Sequence, residues 1–208
     1  MRIVLASKSP RRREILSMLG LKFDIVSADA DESSDLTDPA HLVRELSLRK
    51  ARATRALLEQ KGEWSDDTLI IASDTVVVVN GAILGKPRDE DDAARMLSLL
   101  SGRTHQVISG ISLLYGTREY ADFDVTSVHF CDMTPEEIED YVSSGEPMDK
   151  AGAYAVQGLA SVYIKGLEGD YFNVVGLPVH KLNTMLRELL GTSLLALGKQ
   201  RVKIFINI

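Results

Sequence analysis

The sequence has a single cysteine, Cys131, and no apolar run long enough to span a membrane. One cysteine excludes an internal disulfide and a cysteine-rich zinc site, so a reducing cytoplasm is the expected location. The basic residues near the N-terminus follow a very short apolar run, which is the reverse of the order in a signal peptide. A secreted or membrane-embedded protein is therefore not expected.

Basic residues are also in the minority. The chain has 24 Lys and Arg against 30 Asp and Glu, a formal net charge of −6, which argues against non-specific binding of nucleic acid. Its four histidines show no paired metal-binding spacing, and no Walker-type glycine loop is present. Hydrophobic residues make up 45% and charged residues 26%, which indicates a globular protein with a substantial core.

Short apolar runs alternate with helical patterns, which predicts an α/β fold. A strand over 3–6, a helix with Ser9 as N-cap and Pro10 at its first position, and a strand over 23–26 open the chain. Further helices are predicted over 39–60, 90–100 and 178–190, and after the capping-box residue Thr134. Strands are predicted over 68–79, with an interruption at Asp74 and Thr75, and over 83–84, 106–115, 118–130 and 161–164.

The domain is expected to cover residues 1–191. Residues 192–208 then form a C-terminal tail of unclear role. The weak alternation of Val202, Ile204 and Ile206 would suit a small edge strand.

The segment Ser7-Lys8-Ser9-Pro10-Arg11-Arg12 follows a predicted strand and opens a predicted helix. Free backbone N–H groups and the helix dipole favour an anion at such a junction, and arginine forks suit phosphate oxygens. The alternative is a capped helix with solvated arginines.

Ser73-Asp74-Thr75 places a carboxylate within a strongly apolar β segment. Such a group is costly unless it is paired or binds a metal, so Asp74 is a candidate metal ligand or general base. The alternative is a turn carboxylate that accepts backbone hydrogen bonds. The acidic loop from Asp29 to Glu32 offers further oxygen ligands for Mg²⁺ or Mn²⁺, although each could simply be solvated.

Three lysines and a glutamine complete the candidates. Lys50 is on the long helix, Lys86 is held between glycine and proline, and Lys150 precedes a small-residue segment; solvated lysines are the alternative for each. Gln157 offers both a donor and an acceptor, which suits the edge of a base, or else is structural.

Together these segments resemble the Maf family of nucleoside triphosphate pyrophosphatases. The resemblance extends from about Ile3 to Leu190 and rests on Ser7-Lys8-Ser9-Pro10-Arg11-Arg12, Glu32, Lys50-Ala51, Ser73-Asp74-Thr75-Val76-Val77, Gly85-Lys86-Pro87, Ser101-Gly102-Arg103-Thr104-His105, and the run from Gly145 to Tyr154 with Gln157-Gly158.

The resemblance implies an elongated mixed β-sheet flanked by helices, with a central cleft, a divalent cation (Mg²⁺ or Mn²⁺) and a homodimer. It implies hydrolysis of a nucleoside triphosphate to the monophosphate and pyrophosphate. Arg11, Thr75 and Gln157 match the branch that acts on dTTP, UTP and modified pyrimidine nucleotides. Ser73, where alanine is more usual, and the tail beyond Gly191 depart from the family pattern.

The resemblance also suggests roles for individual residues. The expected catalytic residues are Asp74, as general base, with Glu32, Lys50 and Lys86; Asp74 and Glu32 would also hold the metal. The expected substrate-binding residues are Ser7, Arg11, Arg12, Thr75, Asp149, Lys150 and Gln157, of which Thr75 and Gln157 would read the base or position the sugar.

Two other functions remain open from the sequence. One is a related pyrophosphatase that prefers inosine triphosphate or 7-methyl-GTP. The other is a non-catalytic nucleotide-binding regulator of septum formation.

Overall fold

The computed structural model describes residues 1–199, so the weak alternation at Val202, Ile204 and Ile206 lies outside the described residues. The strands are β1 (Arg2–Leu5), β2 (Asp24–Ile25), β3 (Thr68–Val79), β4 (Ala82–Leu84), β5 (Thr104–Tyr115), β6 (Arg118–Phe130) and β7 (Ile164–Glu168). The α-helices are α1 (Pro10–Met18), α2 (Pro39–Gln60), α3 (Glu90–Leu100), α4 (Pro135–Ser143), α5 (Tyr171–Val175), α6 (Val179–Leu190) and α7 (Leu194–Lys199). Short 3-10 helices span Glu146–Asp149, Ala151–Ala153 and Leu159–Tyr163.

The seven strands within residues 1–199 join one mixed sheet in the order β2-β1-β3-β5-β6-β7, with β4 paired to β3. β1 is parallel to β2 and to β3, whereas β3, β5, β6 and β7 are antiparallel neighbours. The parallel part comes from strand–helix–strand connections, and the antiparallel part from hairpins such as the turn at Gly116. This confirms the expected α/β class with a mixed sheet and flanking helices.

Helices cover both faces of the sheet. On one face, α2 packs with Ala51 and Leu58 against Ile70 and Ala72 of β3. On the other, the apolar faces of α1, α6 and α7 join residues of β1, β3 and β5 in the largest cluster, and a further cluster forms around α3 and α4. Burial on both faces explains why β3 is apolar along nearly its whole length.

Helix starts follow the capping signals closely. The Thr134 hydroxyl accepts from the backbone N–H of Glu137, whose carboxylate accepts from the Thr134 N–H, which is the predicted capping box. Ser9 is the N-cap of α1 and Pro10 its first residue, also as predicted. The Ser9 side chain, however, makes no capping hydrogen bond.

Several local predictions were wrong. β3 runs without interruption through Asp74 and Thr75, because both residues keep their ladder partners on β5. Residues 161–164 belong mainly to a 3-10 helix, and the strand begins only at Ile164.

The segment after Gly191 contributes to the core. Leu194 and Leu197 of α7 are buried in the same cluster as β1 and α6. The start of the expected tail therefore packs against the domain. Within residues 1–199, no helix combines the length and apolar character needed to cross a membrane.

Candidate functional site

The site is built around the middle of β3, where successive side chains point to opposite faces of the sheet. Asp74 is on the face covered by α2 and bonds to Lys50 of that helix. Ser73 and Thr75 are on the other face, where they bond to Gly176 and to Arg12. One three-residue segment thus contributes to the site from both sides of the sheet.

Gly110 allows α2 to come close to this strand. It lies directly opposite Asp74 in the β3–β5 ladder. A Cβ atom at Gly110 would lie 2.1 Å from the Val43 carbonyl oxygen and 2.8 Å from the Arg44 nitrogen, so only glycine fits beneath the helix backbone. Val43 and Lys50 are two turns apart on α2, so this contact also sets the position of Lys50 over Asp74.

Lys50 joins the two carboxylates that were expected to act together. Its Nζ atom lies 2.5 Å from Asp74 Oδ1 and 2.8 Å from Glu32 Oε1. The hydrogen bond from Lys50 lowers the pKa of Glu32, against the opposing effect of partial burial, and the charges of Lys86 and Arg12 act in the same direction. Both carboxylates therefore converge on one cationic centre.

Ser7 and Arg12 form the other side of the site, where β1 gives way to α1. The Ser7 hydroxyl oxygen accepts from the Ser9 backbone N–H and from Arg12 Nη1. Arg12 Nε donates to the Gly176 carbonyl at 2.7 Å, and its Nη2 donates to Thr75 Oγ1 at 3.1 Å. Burial lowers the pKa of Arg12, which the charge of Asp74 partly offsets, yet arginine stays protonated in proteins.

Arg11 pairs with the segment that follows α4. Its Nη1 atom donates to Asp149 Oδ2 at 3.0 Å, and Lys150 Nζ lies 2.5 Å from Asp149 Oδ1. Burial opposes ionisation of Asp149, but the hydrogen bonds from Lys150 and Arg11 outweigh it, and the pKa is lowered. Asp149 therefore orients two cations at the edge of the site.

Lys86 and Gln157 complete the predicted set and are both exposed. The Gly152 N–H donates to the Gly85 carbonyl, which ties the loop of Lys86 to the small-residue segment. Gly152 has φ +70°, and a Cβ there would lie 2.7 Å from the Val77 side chain, so glycine is required by conformation and by space. The small residues thus permit close packing against β3.

All eleven predicted site residues line one cavity of about 570 Å³. Six cations (Lys8, Arg11, Arg12, Lys50, Lys86 and Lys150) and four carboxylates (Asp29, Glu32, Asp74 and Asp149) line it. A surplus of cations in a chain of net charge −6 marks a site for an anion. The volume is within the usual range for small-molecule sites.

The acidic loop contributes unevenly. Asp29 is almost fully exposed and pairs with Lys8, and Asp31 accepts from the backbone and hydroxyl of Ser33. Glu32 is the loop carboxylate that bonds to Lys50. Across residues 1–199, no group of three or more His, Cys, Asp or Glu side chains is arranged to hold a metal ion.

Sequence reasoning missed Gly176, Gly110 and Ser109. The Gly176 carbonyl accepts from both Arg12 and Ser73, but a backbone carbonyl leaves no mark on side-chain chemistry. Gly110 did carry a signal, since a glycine inside a strand often marks close approach of another backbone. Ser109 lies opposite Thr75 in the β3–β5 ladder, where the two hydroxyl oxygens are 2.8 Å apart, and no local sequence pattern marks this contact.

Comparison with known proteins identifies the family of this chain. The model of the family described as Maf-like protein matches residues 2–189. A dTTP/UTP pyrophosphatase of Alkaliphilus oremlandii is 44% identical over 197 residues, which cover 93% of this chain and 98% of the relative. Another, of Agathobacter rectalis, is 45% identical over 198 residues, 90% of this chain and 97% of the relative.

A third relative, the dTTP/UTP pyrophosphatase of Symbiobacterium thermophilum, is 44% identical over 187 residues, with 89% of this chain and 93% of the relative covered. The family match includes every residue around the cavity, and the three relatives cover 89–93% of the chain. This chain therefore belongs to the Maf-like protein family.

Proposed function

We propose that this chain is a nucleoside triphosphate pyrophosphatase that hydrolyses dTTP and UTP, and modified pyrimidine nucleotides, to the monophosphate and pyrophosphate. The observation that carries the proposal is the convergence of cations around a carboxylate pair in one cavity. The names of the relatives, dTTP/UTP pyrophosphatase, support the choice of substrate. Such an activity removes unwanted nucleotides from the cellular pool.

The cations bind the triphosphate. Arg11, Arg12 and Lys86 neutralise its oxygens and stabilise the charge that develops on the leaving pyrophosphate. The Ser7 hydroxyl has its oxygen lone pairs engaged by Ser9 and Arg12, so its proton is left to donate to a phosphate oxygen. This side of the cavity therefore holds the phosphates in a fixed orientation.

Asp74 and Glu32 fit a divalent cation whose remaining ligands would come from the substrate and water. Mg²⁺ and Mn²⁺ favour oxygen ligands, and Mg²⁺ is commonly held by one or two carboxylates together with substrate phosphates. The two carboxylates already converge on a cation, the ammonium of Lys50. When bound, the metal would polarise the α-phosphate and lower the pKa of a water molecule.

Asp74 is the proposed general base. Its Oδ1 atom is held by Lys50, and Oδ2 has no hydrogen-bond partner in residues 1–199, so Oδ2 can accept a proton from water. The water oxygen forms a bond to the α-phosphorus, its proton passes to Asp74, and the bond to the bridging oxygen breaks. Pyrophosphate leaves with the electron pair, and the monophosphate remains.

Gln157 is the proposed reader of the base. Its amide is exposed at the cavity and has no hydrogen-bond partner among the residues that the structure describes. An amide that both donates and accepts can match the edge of uracil or thymine. The family resemblance also favours a homodimer, which a light-scattering mass of two chains would confirm.

The test is pyrophosphate release from dTTP, UTP, CTP, dATP, GTP, 7-methyl-GTP and ITP with Mg²⁺ or Mn²⁺. Metal-dependent cleavage of dTTP and UTP is the expected result. Cleavage mainly of 7-methyl-GTP or ITP would keep the reaction but overturn the pyrimidine assignment. Folded protein that cleaves none of them would favour a nucleotide-binding regulator.

A further inference from the structure

The side chains of Arg12, Thr75 and Ser109 form a chain of hydrogen bonds behind the cavity, and the donor and acceptor of each bond can be assigned. The Ser109 hydroxyl donates to the backbone carbonyl of Asn173 at 2.9 Å, since a carbonyl can only accept. Ser109 has one proton, so in its 2.8 Å contact with Thr75 it must accept, and Thr75 Oγ1 must donate. Thr75 Oγ1 then has a lone pair for Arg12 Nη2 and no proton for a substrate.

The chain of bonds closes on itself. The Asn173 carbonyl also accepts from the Gly176 N–H, and the Gly176 carbonyl accepts from Arg12 Nε. The circuit therefore runs from Arg12 through Thr75, Ser109, Asn173 and Gly176 back to Arg12.

The far end of this circuit is firmly anchored. Asn173 is fully buried, and its Nδ2 atom donates to the Val107 carbonyl and to Thr126 Oγ1. Ser109 is also fully buried on β5. The position of the Thr75 hydroxyl is therefore set from the core of the protein.

Arg12 is correspondingly constrained. Three of its five N–H groups are engaged, by Gly176, Ser7 and Thr75. The remaining two, one on each Nη atom, have no protein partner within residues 1–199. A fork with one free N–H on each terminal nitrogen suits two oxygens of one phosphate group.

We propose that Ser109 and Thr75 are positioning residues that orient Arg12 towards the phosphates. The assignment of phosphate as the group that Arg12 binds rests on the proposed function. The direction of the hydroxyl bonds rests on the geometry alone.

The variants Ser109→Ala, Thr75→Val and the double variant test this proposal with dTTP and UTP as substrates. Each single variant should raise KM about tenfold, because an aligning hydrogen bond to a charged group is lost, with a smaller change in kcat. The rise should be the same for both bases, and the double variant should be no worse than either single variant. Thr75→Ser keeps the hydroxyl and should therefore have the KM of the wild-type protein.

Inorganic triphosphate provides a probe without a base. Its dissociation constant, measured by calorimetry, should rise in both single variants by the same factor as KM. This measurement does not depend on turnover. It therefore tests the positioning role even if the nucleotide panel overturns the proposed function.

Ser112→Ala is the matched control. Ser112 is also fully buried on β5, but its hydroxyl bonds to Ser47 on α2, outside the circuit. This variant should lose comparable stability and keep KM within about twofold of wild type. Additive effects of Ser109→Ala and Thr75→Val, a loss confined to one base, or unchanged triphosphate binding would overturn the proposal.

Discussion

Asp74 occupies an interior strand position where a carboxylate is costly unless it is paired. The compensation comes from Lys50, which is about halfway along α2 and is itself held over the strand by close helix–sheet packing. Asp74 therefore has a part in the stability of the fold and a proposed part in the reaction. A variant that removes its charge without changing its shape distinguishes the two parts.

We predict that Asp74→Asn abolishes most turnover of dTTP while the protein stays folded. The amide cannot take a proton from water, and a general base contributes about 100-fold or more to rate. Steady-state kinetics measure the loss, and far-UV circular dichroism checks the fold. Turnover close to wild type would remove Asp74 from the role of base.

His105, one of the four histidines that lack metal-binding spacing, is a buried neutral group. It is 2% exposed, packs against Phe130, and its Nε2 atom is 2.7 Å from the Tyr154 hydroxyl. Burial, together with repulsion from His129, lowers the pKa of His105 to about 4. The folded protein therefore binds fewer protons than the unfolded chain in mildly acidic solution.

The free energy of unfolding should decrease as pH falls from 6.5 towards 4, by about 3 kcal/mol from this group. The sign follows because the unfolded chain, with the higher histidine pKa, takes up the proton first as pH falls and is thereby stabilised relative to the folded protein. Urea denaturation at pH 7, 5.5 and 4.5 measures it. His105→Phe should flatten this part of the profile, and an unchanged slope in that variant would assign the effect to other groups.

At the scale of elements, the distance between α2 and the sheet is the critical quantity. A methyl group at Gly110 would meet backbone atoms of Val43 and Arg44, which cannot rotate away. The helix would have to move as a unit, and Lys50 would move with it.

Gly110→Ala should therefore destabilise the protein by about 1–3 kcal/mol and reduce turnover more than tenfold. Denaturation and kinetics on the same preparation measure the two effects. Gly166→Ala on β7 is the control, because a Cβ there meets nothing within 4 Å. If Gly110→Ala lost stability yet kept full turnover, the distance between α2 and the sheet would not determine the position of Lys50.

At the scale of the whole molecule, charge is distributed unequally. The chain is acidic, whereas its cavity has more cations than carboxylates. Such a cavity attracts a polyanionic substrate over several ångströms, and salt screens this attraction.

The KM for dTTP should accordingly rise about threefold or more between 50 and 500 mM NaCl, with kcat changed much less. Sucrose at equal osmolality is the control for effects unrelated to charge. Uncharged or weakly charged inhibitors should not respond in this way. A KM independent of salt would mean that contacts within the cavity, rather than its overall field, determine binding.

Much of this architecture could be predicted from the sequence because its signals are local. Proline and capping residues placed the starts of α1 and α4. The interruption predicted at Asp74 failed for a non-local reason. A strand breaks at a charge only if no partner reaches it, and Lys50 is 24 positions away.

The sequence by itself determined the α/β class, the order of the longer elements and the residue types that are candidates for the site. These depend on periodicity, capping and the chemistry of each side chain, which are properties of short segments. Only the tertiary structure decided that Glu32 and Asp74 meet at Lys50, that Arg11 pairs with Asp149, and that the Thr75 hydroxyl bonds to Ser109. Those facts depend on which distant atoms come within hydrogen-bond distance, and that distance is fixed by how helices pack on the sheet.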